Sequence, residues 1–416
     1  EAKATKPAPA AGFRPMAEDD VLQMVWVADP RISSDGTRVA FTRVHVDREA
    51  DEYRTAIWLA GAPGAGGAAG NARALTFGPK DRQPRWSPDG RTLAFVRTPE
   101  GKTDGELWLL PMGGGEARAL ATLAGGVSSP AWSPDGSRIA FLSGFNPALD
   151  EPKKEKPKHE PGRVVTRPVF RENDLGFTDF DHRDHVWVVE VADGARPRAL
   201  TGGRFAEGAP RWSEDGKRVL FLSDRREEPW FGSEESVLYA VAADRAEPTT
   251  GDALEMVADP RGGPVAWAMG PGGAIAMAST VTPPSPRSYD QPTLLLATGA
   301  GQPMRDVAPA VHAAVGETVS ADQHPPRGGG EIPIAFAGDG RDVVVRVCHE
   351  GASYLARIDA AAGEMKLLTP AACDIVSGTA TPDGRCWALV IGGLDTPGDL
   401  FHFDASNGVL TPLHAP

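Results

Sequence analysis

Pro130-Ala131-Trp132-Ser133-Pro134-Asp135-Gly136-Ser137-Arg138-Ile139-Ala140-Phe141 reads as an apolar strand, a tight turn and a second apolar strand. Proline presets φ at the first corner, aspartate can bond its own backbone, and glycine takes the left-handed step cheaply. Such a turn closes a β-hairpin. The stretch recurs as Pro84-Arg85-Trp86-Ser87-Pro88-Asp89-Gly90 before Thr92-Leu93-Ala94-Phe95. It recurs again as Pro210-Arg211-Trp212-Ser213-Glu214-Asp215-Gly216 before Val219-Leu220-Phe221.

Weaker copies follow the same plan. Asp35-Gly36, Pro271-Gly272, Asp339-Gly340 and Asp383-Gly384 each precede an apolar run. The seven turn glycines, from Gly36 to Gly384, recur at about the length of one four-stranded propeller blade, with longer gaps where insertions fall. The expected fold is therefore all-β: a seven-bladed β-propeller of four-stranded blades over 29–416. Its first and last blades each supply their own four strands. We expect an open ring with no mixed closing blade, shut only by packing between blades 1 and 7. Trp86, Trp132, Trp212 and Trp267 are expected in the blade-to-blade core. Blade 5 is the least regular, because its turn lacks aspartate, and blade 6 is expected over about 332–370.

Composition narrows the function. Lys and Arg number 43 against 56 Asp and Glu, a formal charge of −13, so a nucleic-acid groove is not expected. No apolar run is long enough to span a membrane. A soluble protein is expected, periplasmic or cytoplasmic, and a homo-oligomer is compatible with it. Three cysteines, Cys348, Cys373 and Cys386, form neither a disulfide framework nor a zinc spacing, and read as small buried thiols.

Residues 1 to about 15 read as a flexible tail and Ala17 to Val27 as a short amphipathic helix. Glu18, Asp19 and Asp20 sit in its first turn, where they suit the helix dipole. Residues 1–28 are thus expected to dock on a partner domain. An insertion in blade 3, residues 144–184, starts charged and proline-rich. It then alternates apolar residues with Arg163, Arg167 and Arg171, like a ribbon on one mouth of the ring.

The search for chemistry finds little. No serine has the flanking glycines of a strand-to-helix nucleophile elbow. His182 and His185 have a spacing that suits a metal but lack a third nearby ligand, so no metal and no cofactor is expected. Gly113-Gly114-Gly115 and Gly328-Gly329-Gly330 read as turns, not phosphate loops. The candidate substrate-binding residues are Arg163, Arg167 and Arg171, whose guanidiniums can fork onto a carboxylate or carbonyl, and Glu227 and Glu228, which can hold an amino terminus. Salt bridges and solvated loop charge are the plain alternatives for both groups.

The lead-in Val21-Leu22-Gln23-Met24-Val25-Trp26 through Gly36, the Trp-Ser-Pro-Asp-Gly hairpins and the stretch 163–189 together resemble the prolyl oligopeptidase family of serine peptidases, in its acylaminoacyl-peptidase branch. That resemblance implies a gating, substrate-selecting propeller whose partner is an α/β-hydrolase domain carrying the Ser, Asp and His. The enzyme would then act on short peptides. No residue here matches the triad, so the chain alone is expected to be inactive, its hydrolase domain absent. The alternative is a stand-alone TolB-like binding propeller of the cell envelope.

Overall fold

A computed structural model describes residues 17–416 apart from 64–69, 147–163, 166–167, 169, 173–175, 229–234, 282–289, 310, 320–324, 328, 339, 373 and 394–395. The tail expected up to about residue 15 lies outside the described residues. Blade 1 consists of Val25–Ile32, Arg38–Asp47, Glu52–Gly61 and Gly70–Ala74, and blade 2 of Asp81–Trp86, Thr92–Arg97, Glu106–Pro111 and Arg118–Ala121. Blade 3 joins Ser128–Trp132, Arg138–Ser143, His185–Glu190 and Arg198–Ala199. Blade 4 joins Gly208–Trp212, Arg218–Ser223, Val237–Ala242 and Glu255–Ala258. Blade 5 joins Pro264–Met269, Ile275–Ser279, Thr293–Ala297 and Arg305–Asp306. Blade 7 joins Asp374–Ala380, Cys386–Gly392, Asp399–Asp404 and Val409–His414.

In each of these sheets the strands pair antiparallel in chain order, and the first strands of neighbouring blades pack together around the centre. Blade 6 differs from expectation. Its inner edge is in two pieces, Ala314–Val315 and Ile334–Phe336, both paired with Asp342–His349, followed by Ala352–Asp359 and Met365–Leu367. The long link between the two pieces holds no alternating apolar run, so the sequence gives the first piece no strand signal.

The turns obey the reading made from their sequence. In blade 3 the Gly136 N–H donates to the Ser133 carbonyl (2.9 Å), and Gly136 sits at φ 71°. Asp135 gathers the Ser133 hydroxyl (2.6 Å), the Ser137 hydroxyl (2.7 Å) and the Ser137 amide (3.1 Å). Those three donors hold its carboxyl at about 2, below the usual carboxylate range. In blade 5, with no aspartate to organise the corner, Pro271–Gly273 forms a single 3-10 turn instead.

The core lies between blades. Ala140, Leu142 and Val188 of blade 3 pack on Trp212, Val219 and Phe221 of blade 4, and equivalent apolar clusters join the other neighbours. Three indoles also cross a boundary as donors: Trp86 to the Arg31 carbonyl (2.8 Å), Trp132 to Arg85 (3.0 Å) and Trp212 to Ala131 (2.9 Å). Arg38 stacks over Trp86 and Arg138 over Trp212, each guanidinium carbon 4.7 Å from the ring centroid. The same two arginines donate to the Gly90 and Gly216 carbonyls of the next turn (2.9 and 2.8 Å). Trp267 is buried and stacked under Arg211 (4.6 Å).

No strand is exchanged between blades 1 and 7, so the ring is open in the sense expected. More than packing holds the seam. Val27, Phe41 and Ala60 meet Val390, Leu400 and Leu413, and the His414 ring lies on Trp58 at 5.8 Å. The Thr379 hydroxyl also donates to the Pro30 carbonyl (2.9 Å) and accepts from the Ile32 N–H (3.2 Å).

The N-terminal helix is shorter than expected. Glu18–Gln23 forms a six-residue 3-10 helix, closed by the Asp20 carboxylate on the Ala17 N–H (2.7 Å). Val25, Trp26 and Val27 belong to the inner strand of blade 1, paired with His45, Val44 and Arg43. Two β-branched residues and an indole gain more from that ladder than from one further helical turn. The blade therefore starts at Val25 rather than residue 29.

The turn aspartates set an acid limit. Asp89 and Asp215 are held low by the Ser87 and Ser213 hydroxyls and by the amides of Arg91 and Lys217, as Asp135 is by its own partners. A depressed carboxyl stabilises the fold above its unfolded pKa of about 4, and that contribution disappears as pH falls towards about 2. Thermal midpoints by circular dichroism are therefore expected to fall across that window, with Asp135→Asn showing a shallower fall than the parent protein.

Candidate functional site

The channel holds the densest ionic cluster among the described residues. Its arginines come from one repeated position, the residue after proline in the inner strand: Arg31 in blade 1, Arg85 in blade 2 and Arg211 in blade 4. In blade 3 the same position is Ala131. Asp29 sits at φ 46° in a bulge of the first strand, its side chain only 2% exposed, and receives Arg31 (2.6 Å) and Arg85 (2.8 Å).

Glu331 completes the cluster from elsewhere. It lies just before Ile334–Phe336, and its carboxylate meets Arg31 at 2.7 Å, Arg211 at 3.1 Å and Arg85 at 4.0 Å. Its carbonyl accepts from the Gly378 N–H of blade 7 (2.9 Å). One side chain thus touches the inner strands of blades 1, 2 and 4, so it stands across the bore. The approach depends on glycine: the Gly329 carbonyl accepts from the Asp29 N–H (3.2 Å), and a Cβ on Gly330 would lie 2.5 Å from Cβ of Ser377.

Three guanidiniums face two carboxylates, an excess of one positive charge. Burial opposes ionisation of Glu331, but Arg31, Arg211 and Arg85 outweigh it and hold the carboxyl well below its usual range. Burial also opposes the charge on Arg31, and Asp29 with Glu331 more than restores it. Arg85 has the poorer bargain: burial, then repulsion from Arg31, lower its pKa despite Asp29. The cluster floors a cavity of about 1110 Å³, walled by Trp86, Trp132, Ile334 and Phe336, that reaches the turns at Pro88, Asp215, Gly272 and Asp383.

A second cavity, about 410 Å³, lies between blades 3 and 4, lined by Arg183, Arg204, Phe205, Asp224, Arg226 and Glu227 among others. In its wall Glu207 has a fully buried side chain, bonded to His185 Nδ1 (2.8 Å), the Thr201 hydroxyl (2.8 Å) and Arg225 (2.5 Å). The antiparallel order puts this cavity, the blade 3 insertion and the start of the first strand on the face opposite the hairpin turns.

The residues singled out from sequence fare unequally. Glu227 lines the second cavity and pairs with Arg204 (3.2 Å), whereas Glu228 is exposed beside it. Arg171 is exposed in a short hairpin, Arg171–Glu172 with Gly176–Phe177, its guanidinium 5.9 Å from the Phe177 centroid. Arg163 and Arg167 lie outside the described residues. His182 and His185 do not converge: their Nδ1 atoms bond Asp179 and Glu207 respectively, each at 2.8 Å. Cys348 and Cys386 are half-buried rather than buried, and Cys373 lies outside the described residues. The channel cluster was missed. Its signal was present in the arginine repeated between proline and the strand-ending residue, while Glu331 had none.

No protein-family model matches the chain. It is 35% identical over 213 residues to the uncharacterized peptidase YuxL of Bacillus subtilis, a stretch covering 50% of this chain and 31% of that protein. Among solved structures it is similar to the β-propeller domain of the trilobed protease from Pyrococcus furiosus, described as having an open velcro topology. The TM-score is 0.59 at 15% identity, over 94% of this chain and 96% of that one. It is equally similar to the Pyrococcus horikoshii acylaminoacyl peptidase, with a TM-score of 0.59 at 15% identity, covering 96% of this chain and 54% of that one. The chain therefore spans about half the length of that peptidase, and its match to YuxL spans about a third. What the chain shares with these structures is the β-propeller fold.

Removing Arg31 leaves Asp29 buried with a single partner. Because Arg85 still answers Asp29, Arg31→Met is expected to cost about 1.5–3 kcal/mol, the range for lost hydrogen bonds to charged groups, read as a lowered urea midpoint with unchanged slope.

Proposed function

We propose that this chain is the substrate-selecting propeller of a serine oligopeptidase or exopeptidase similar to acylaminoacyl peptidase. Its α/β-hydrolase domain, carrying Ser, Asp and His, would stack on the face opposite the hairpin turns. One observation carries this reading. Large exposed apolar side chains gather on that face: Val21 and Leu22 of the 3-10 helix, Phe77 after blade 1, and Val164, Val165, Phe170 and Phe177 of the insertion. Exposed apolar groups concentrated on one face mark an interaction surface. The first strand starts on that face and the last strand ends there, so a domain joined at either end would lie beside it.

The ring then acts by exclusion. Folded proteins are kept from catalytic groups roofed by a propeller, and short peptides pass. The cavity between blades 3 and 4 would look into the shared interior. There Arg183, Arg204 and Arg226 suit a peptide carbonyl or carboxylate, and Glu227 with Glu228 suits an amino terminus. Arg163, Arg167 and Arg171 remain candidates for the same work from the insertion.

A hydrolase domain of this peptidase type, joined after the last strand or added in trans, is expected to cleave short peptide anilides and spare a folded protein of the same sequence content. Glu227→Ala is expected to raise KM about tenfold, about 1.4 kcal/mol of binding, with kcat nearly unchanged. Confirmed docking without any peptide cleavage, or equal cleavage of folded protein, would sink the reading.

A further inference from the structure

Asp29 binds both Arg31 and Arg85, its two oxygens accepting at 2.6–2.8 Å, and Arg31 also reaches Glu331 (2.7 Å). Arg211 is different. One of its nitrogens donates to the Trp267 carbonyl (2.9 Å), the other to Glu331 (3.1 Å), and its side chain is 31% exposed. Glu331 is 39% exposed although the ring encloses it, so the channel cavity reaches its carboxylate. It arrives on a segment that leaves the blade framework, through Gly329 and Gly330, and not on a sheet position.

We infer that Arg211 and Arg85 form a carboxylate-recognition site of the channel, which Glu331 occupies as an internal stand-in, and that its ligand is the C-terminal carboxylate of a short peptide. A peptide entering from the turn-bearing mouth would present its terminus to these guanidiniums. The Glu331 side chain would swing aside, its backbone still held by Gly378, while Asp29 keeps Arg31 in place. A planar guanidinium fork suits a carboxylate in particular. Trp86, Trp132, Ile334 and Phe336 supply apolar walls, and about 1110 Å³ is far more than a lone small anion fills. The choice of a peptide rests on the peptidase reading above; the preference for a carboxylate rests on the geometry.

Calorimetric titration of the 416-residue chain with tetra-alanine, with its C-terminal amide and with acetate tests this directly. The free acid is expected to bind at least tenfold tighter than the amide, with acetate weaker than both. Glu331→Gln removes the internal competitor and should tighten the acid about tenfold while leaving the amide alone. Arg211→Gln should erase the difference between acid and amide. Equal binding of acid and amide by the parent chain overturns the proposal, and that comparison holds even if Glu331→Gln fails to fold. Acetate binding as tightly as the acid overturns the assignment to a peptide. An acid preference that persists when a docked hydrolase domain cleaves nothing sinks the peptidase reading and leaves the carboxylate site standing.

Discussion

Each blade of this ring is an unfinished core until its neighbour covers it, and the indole bond across the boundary fixes how the two meet. Trp212 is buried in the interface and Trp86 and Trp132 are half-buried there, and all three hand their N–H to the inner strand of the blade before. A buried donor left without a partner costs more than a made bond gains, so the bond selects one spacing and one register between sheets. On Trp86 and Trp212 a stacked arginine reinforces that choice by grasping the next turn as well. At the seam Ile32 stands where tryptophan would, and the Thr379 hydroxyl takes over the bridging.

The channel cluster follows from that spacing. Once inner strands are fixed at one height, a residue repeated in each strand recurs at one level of the bore. Arginine in that place in three blades gathers like charges in a confined space, which repel unless carboxylates intervene. Asp29 supplies one carboxylate from within the blade and Glu331 the other from outside it. Alanine at residue 131 spares the bore a fourth cation. The same repetition that builds the ring thus creates an electrostatic problem that a single loop residue resolves.

What could be read from the sequence was what repeats. The turn motif carries its own conformational instructions in serine, aspartate and glycine, so seven hairpins, the blade count and the open ends were legible in advance. Glu331 was not, because nothing about Gly-Gly-Glu-Ile-Pro tells which blades it will touch; only ring closure brings residues 31, 85 and 211 beside it. The split inner edge of blade 6 was hidden for a similar reason, since Ala314–Val315 is too short to show alternation. The segment 25–27 was misread as helix because its amphipathic spacing suits either state, and the ladder with residues 43–45 decided it. Of the candidate binding residues that are described, only Glu227 came to line a cavity, since loop positions take their surroundings from neighbouring blades.

The join between the first and last blades has a mechanical meaning. At the other six boundaries the polypeptide runs on from one blade to the next; here no strand is shared and no peptide link within the ring crosses. Such a body is a split collar, and outward force on it is borne at the cut. Spreading there would part the aliphatic contacts, the Thr379 bridge, the stacked His414–Trp58 pair and the bonds from Asp29 and Arg31 to Gly329 and Glu331, while every β-sheet stayed whole. How far the ring could widen is then governed by the cohesion of that one join and of the Glu331 cluster beside it.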